Sequence, residues 1–146
     1  MYLFERLSGE FTCEIVPGVS SLMASAAALQ RPLAARNDVL TVVPAPVDDD
    51  TFLARVGSGD AIAIIKIGRH FERLCGLIES CGLIGRAVYL ERVSLAEQKL
   101  MPLRAMVGKK APYFSMVLIY KGGEAWIEKL PVPAFEDVPE NEIETV

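Results

Sequence analysis

The chain has 146 residues, 51% of them hydrophobic and 23% charged, with a formal net charge of −4. That length supports one core rather than two, and the composition excludes a disordered chain. No apolar run reaches the roughly 18 residues needed to cross a bilayer; the longest candidate, Ala61 to Ile65, is followed by Lys66, so the sequence reads as soluble with no membrane partner.

The charge is unevenly placed. Residues 124–146 carry seven acids, from Glu124 to Glu144, against Lys129 alone, a balance of −6 that leaves +2 for the rest. A mildly basic body suits an anionic ligand but falls short of a nucleic-acid binder. Cys13, Cys75 and Cys81 lack metal-site spacing and His70 is the sole histidine, so no metal is expected. The first seven residues lack the pattern of a secretion signal, and reduced thiols in a cytoplasmic setting follow as the expectation.

In chain order, residues 2–8 place Leu3, Phe4 and Leu7 on one face and read as the end of a helix closed by Gly9, which suggests the remainder of something longer. Glu14-Ile15-Val16 reads as a strand stopped by Pro17, with Gly18 free to take a positive φ and Ser20 or Ser21 free to cap a helix. A helix N-terminus reached by a tight turn can hold a polar ligand on its amides, although the same pattern also makes an ordinary β–α turn.

Leu22 to Leu29 follows as an Ala-rich helix ended by Arg31-Pro32, then a strand at 38–43 stopped by Pro44. Asp48-Asp49-Asp50 reads as cap and first turn of a short helix with Gly57 at its C-cap, in preference to a hard-metal site. Ala61 to Ile67 is apolar on both faces, as a central strand covered by helices must be. Phe71, Leu74, Cys75 and Ile78 mark a helix ended by Gly82, and His70 beside Arg69 reads as a first-turn residue of it rather than a general base. Strands are expected at 86–91, 98–101 and 115–120, and an extended Leu130-Pro-Val-Pro133 precedes an acidic tail. The predicted fold is α/β: a three-layer α/β/α sandwich around a mixed, mostly parallel sheet of about five strands, the last ones antiparallel.

No nucleophile elbow, phosphate loop or Gly-x-Gly-x-x-Gly occurs. What stands at the predicted strand ends is a row of turns, at 17–22, 66–69, 91–97 and 112–116, where ligands of open α/β sheets bind. Such a site, without an acid–base pair, suits chemistry governed by positioning.

The order and wording of these turns carry a resemblance. Ile15-Val-Pro-Gly-Val-Ser-Ser-Leu-Met23, Ile65-Lys-Ile-Gly-Arg69, Glu91-Arg-Val-Ser-Leu-Ala-Glu97 and Pro112-Tyr-Phe-Ser-Met-Val-Leu-Ile-Tyr120 resemble the C-terminal half of the tetrapyrrole methylases. Tyr2 to Leu7 and the Glu91 to Glu97 stretch are most similar to the branch that methylates precorrin-2, or its cobalt form, at C20 in cobalamin biosynthesis.

The resemblance implies S-adenosylmethionine as methyl donor, a tetrapyrrole substrate and a homodimer. It also implies that the Gly-rich and Gly-Asp-Pro loops of an N-terminal domain are missing here. On that basis residues 1–12 are the remnant of that domain, 13–127 the C-terminal methylase domain and 128–146 an acidic tail. By the same resemblance Ser20, Ser21, Leu22, Lys66, Ile67, Arg92, Val93, Phe114, Ser115 and Met116 contact the cofactor, and no catalytic residue is assigned. Arg31, Arg36 and Arg69 are candidates for substrate carboxylates, since guanidinium groups pair bidentately with them. Two other readings stand beside this one: a non-catalytic α/β dimerisation or ligand-binding module, and the related branch that methylates ribosomal RNA, against which the weak positive charge argues.

Overall fold

The computed structural model describes residues 2–123; the acidic tail and the expected extended segment at 130–133 lie outside them. The described residues form four α-helices, α1 (Tyr2–Leu7), α2 (Ser21–Ala28), α3 (Asp49–Ser58) and α4 (Phe71–Ser80), and five strands, β1 (Leu40–Pro44), β2 (Ala61–Ile65), β3 (Ala87–Glu91), β4 (Lys99–Pro102) and β5 (Ser115–Tyr120), helix and strand alternating only from α2 to β3.

The sheet order is β1-β2-β5-β3-β4. β1 and β2 are parallel neighbours, and β5 runs antiparallel between β2 and β3. β4 is antiparallel to β3. Three strands, β1, β2 and β3, therefore point one way, but β5 separates two of them, so only one neighbouring pair is parallel. The consequence is an edge where the C-terminal ends of β1, β2 and β3 meet the start of β5.

Period-two alternation divides the strand side chains between two faces. Val43, Ile62, Ile64, Tyr89, Val117 and Ile119 face α3 and α4 and join Phe52, Val56, Phe71, Leu74 and Ile78 in the main core. Leu90 and Met116 face the other way and pack with Leu29, Leu22, Val88 and Leu118 under α2. One layer is thick and the other thin. The helix boundaries follow the sequence's caps: the Asp48 carboxylate accepts from the Thr51 amide at 2.8 Å, Arg73 pairs with Asp49 and donates to the Ala45 carbonyl, and Gly82 leaves α4 with φ +69°.

Three expectations are corrected. Glu14–Val16 forms no strand: Ile15 is 56% and Val16 78% exposed, and neither edge of the sheet pairs with them. A strand needs a ladder partner, which apolar propensity alone does not supply. Gly18 has no positive φ. Gly57 lies inside α3 and the cap falls to Gly59, where an added Cβ would meet the Thr41 hydroxyl oxygen of β1 at 2.5 Å. The close approach of backbone to β1 is what excludes a side chain there.

Candidate functional site: a cavity at the strand ends

A cavity of about 290 Å³ opens at the edge where β2 and β3 end and β5 begins. Its lining comes from separate turns. β2 and the turn after it contribute Ile65 and Lys66; β3 and the turn after it contribute Leu90, Arg92, Val93 and Leu95; the approach to β5 and its first residues contribute Tyr113, Phe114, Ser115 and Met116; and α2 contributes Ser21 from its first turn. Register explains the convergence, because Leu90 sits opposite Met116 and Glu91 opposite Ser115.

The turns are locally unusual. Lys66 and Arg92, each the first residue past its strand, both have left-handed backbone, with φ of 59° and 48°. This conformation is sparsely populated by residues with a Cβ and is a recurrent feature of binding sites. At Arg92 it is held by the main chain, since the Arg92 amide donates to the Phe114 carbonyl at 2.8 Å. The Ser20 hydroxyl accepts from the Met23 amide and caps α2, while Ser25, buried on the same helix, donates to the Met116 sulfur at 3.0 Å. α2 is thereby tied to the cavity wall.

The wall is apolar and aromatic, with polar groups at the mouth. Tyr113 and Phe114 form an edge-to-face pair, centroids 5.2 Å apart, and stay 76% and 68% exposed. Two large rings standing in solvent at a cavity mouth are available to stack on a planar ligand. Among the described residues, Lys66 and Arg92 are the charged residues of the lining, and no carboxylate joins them. On the opposite face of the sheet, directly behind, Tyr89 donates to the buried Glu91 carboxylate at 2.7 Å, and Lys99 approaches it at 3.8 Å. Burial, and then that hydrogen bond, push the Tyr89 phenol far above its ordinary 10.0. This network braces the end of β3 from below.

Of the residues nominated from sequence for the cofactor, Ser21, Lys66, Arg92, Val93, Phe114, Ser115 and Met116 line the cavity. Ser20 caps the helix behind it, and Leu22 packs into the thin core. Ile67 does not line the cavity with its side chain, which is fully buried in the main core on the opposite face, because the chain re-enters the sheet's far side after the Lys66 turn. Ile65, Leu90, Leu95 and Tyr113 were not nominated. The first two were visible as alternate-facing strand residues, whereas Leu95 carries no signal of its own.

The three nominated arginines are not gathered. Arg31 lines a smaller cavity of about 40 Å³ with Arg86, Leu33, Leu40 and Tyr120 at the other end of β2 and β5. Arg36 stands exposed in the loop before β1 with φ 46°. Arg69 is exposed in a 3-10 turn beside His70, to which its Nε donates at 3.3 Å. His70 takes the N-cap position of α4, in keeping with a helix-start role. Among the described residues no group of His, Cys, Asp or Glu is arranged to hold a metal ion, and no helix is long and apolar enough to cross a membrane.

Comparison with known proteins bears on this geometry. A family model described as Tetrapyrrole (Corrin/Porphyrin) Methylases matches residues 1–106. The chain is 35% identical, over 84% of its length, to the cobalamin biosynthesis protein CobIJ of Mycobacterium tuberculosis, of which it covers 24%. It is 29% identical, over 82% of its length, to a precorrin-2 C(20)-methyltransferase of Sinorhizobium, of which it covers 49%. Among solved structures, the uroporphyrin-III C-methyltransferase of Thermus thermophilus complexed with S-adenosylhomocysteine superposes with a TM-score of 0.53 at 20% identity, over 80% of this chain and 56% of that one. The chain thus spans about half the length, or less, of the relatives it matches, and the structural likeness is one of fold.

Proposed function

The chain belongs to the tetrapyrrole (corrin/porphyrin) methylase family, and from that membership we propose that it is the C-terminal part of a methyltransferase that moves a methyl group from S-adenosylmethionine to C20 of precorrin-2 or its cobalt form. The observation that carries this reading is the convergence of four separate sequence turns on one cavity at the strand ends, where open α/β sheets hold ligands. Relatives named for precorrin-2 methylation and for cobalamin biosynthesis support the substrate. The fold-mate complexed with S-adenosylhomocysteine supports the cofactor.

The residues present fit that cofactor. Ile65, Leu90, Val93 and Met116 make an apolar floor, Tyr113 and Phe114 offer aromatic faces, and Ser21 supplies a hydroxyl at the wall; this is the mixture that small-molecule sites use to bury a purine and orient it. S-adenosylmethionine brings a methyl group already activated on a sulfonium. The chain therefore has to align, exclude water and hold the acceptor carbon in line, which is consistent with a lining that contains no acid–base pair. A homodimer, or pairing with a second domain, belongs to the same reading and is supported by large apolar side chains left exposed, among them Tyr2, Leu3, Phe11, Val16 and Val19. A cytoplasmic setting rests on the three free thiols.

The test is a calorimetric titration of the chain with S-adenosylhomocysteine, joined to an assay of radiolabelled methyl transfer to precorrin-2 by the complete protein. Micromolar binding and methylation at C20 are the expected results; methylation at another carbon, or none, contradicts the reading.

A further inference from the structure

We propose that Lys66 and Arg92 form a carboxylate-reading rim for the tetrapyrrole, the role expected from sequence for Arg31, Arg36 and Arg69. This rests on the cofactor assignment above and names the substrate contact of the same site. Three observations carry it. Lys66 and Arg92 are the charged residues of the cavity lining, and both are exposed at its mouth. Among the described residues no hydrogen bond or ion pair engages either side chain, so both heads are available to a ligand. Each is held at the end of its strand by a left-handed backbone, φ 59° and 48°, in turns that bring two strand ends to one opening.

Electrostatics decides what the pair is for. A sulfonium is a cation, and two further cations beside it work against its binding, so their charge answers an anion. The carboxylate chemistry has two possible sources, the side chains of a tetrapyrrole and the methionine end of the cofactor. The substrate is favoured because the rim lies at the opening, while the apolar floor lies deeper between β3 and β5. Of the three arginines expected from sequence, Arg31 lines the cavity at the far end of the strands, and Arg36 and Arg69 line neither cavity.

The experiment uses the full chain, with uroporphyrin as a fluorescent polycarboxylate tetrapyrrole, its methyl ester as the uncharged control, and S-adenosylhomocysteine as the cofactor probe. Lys66→Gln and Arg92→Gln keep a polar amide end on a shorter side chain and remove the charge; Lys66→Arg and Arg92→Lys keep it. Each Gln variant is expected to weaken uroporphyrin about fivefold, the upper end for an exposed ion pair, and the double variant about twentyfold. The charge-keeping variants should recover most of the loss, and in every Gln variant uroporphyrin should lose several-fold more affinity than S-adenosylhomocysteine. An unchanged uroporphyrin affinity in the double variant overturns the proposal, as does equal loss for both ligands, which assigns the rim to the cofactor's carboxylate. Uroporphyrin and its ester binding equally well also overturns it. If the parent chain binds S-adenosylhomocysteine but not uroporphyrin, the rim proposal fails while the cofactor reading stands; if it binds uroporphyrin alone, the cofactor reading fails by itself.

Discussion

At the scale of single residues, the sequence's polar punctuation has measurable consequences. The Asp48 carboxylate, held by the Thr51 amide and hydroxyl, lies below its ordinary 3.8. A carboxylate with a lowered folded-state value contributes stability above its unfolded value and loses it as acid is added. Asp48→Ala should therefore lower the melting temperature at neutral pH, and the gap from the parent should narrow as pH falls below 3.8. A gap independent of pH would show that the side chain acts by something other than its charge.

Tyr89 tests the brace behind the cavity. Removing its hydroxyl leaves the buried Glu91 carboxylate short of a donor, so Tyr89→Phe should cost about 1–3 kcal/mol in denaturant unfolding at neutral pH. The alkaline limb runs the other way. Because the folded phenol ionises far above 10.0, the unfolded chain loses its proton first and stability falls as pH rises past that point. Tyr89→Phe should flatten that decline, and a variant as pH-sensitive as the parent would contradict the assignment.

At the scale of elements, helices and their caps were legible because their signals are local. Asp48 before α3, Ser20 before α2 and Gly82 after α4 each act within a turn of where they stand. Glu14–Val16 was not, because a strand is a statement about a partner elsewhere in the chain. Its apolar residues look like a strand and remain exposed. The insertion of β5 between β2 and β3 was equally hidden, since antiparallel connection could be read from the short spacing but position within the sheet could not. Gly59 was missed for the same reason: its constraint comes from Thr41, eighteen positions away in sequence. Gly59→Ala should destabilise the chain by about 1–3 kcal/mol through overpacking against β1, and Thr41→Ala in that background should recover part of it. Full tolerance of Gly59→Ala would show that the α3–β2 turn is looser than its geometry.

At the scale of the whole molecule, the sheet has one thick layer and one thin one, and the candidate cavity opens beside the thin one. The family resemblance located most of its lining, because the four turns were recognisable as wording. It could not separate the two faces of a strand end, so Ile67 was grouped with Lys66 although one residue turns into the main core and the other into the cavity. Nor could it weigh the three arginines, whose separation is a property of the fold alone. The alternation of side chains along β2 and β3 places Ile65 and Leu90 in the floor beside Met116.

Everything proposed for the molecule depends on the cavity at the ends of β2 and β3 being the cofactor site, and amide chemical-shift mapping of the isotopically labelled chain with S-adenosylhomocysteine reads that location residue by residue. Perturbed amides are expected to cluster at Ser21, Lys66, Arg92, Val93 and Phe114 to Met116, with Leu33, Leu40 and Arg86 around the smaller cavity unmoved. Perturbations centred on that second group, or no saturable shift at any concentration of ligand, would contradict it.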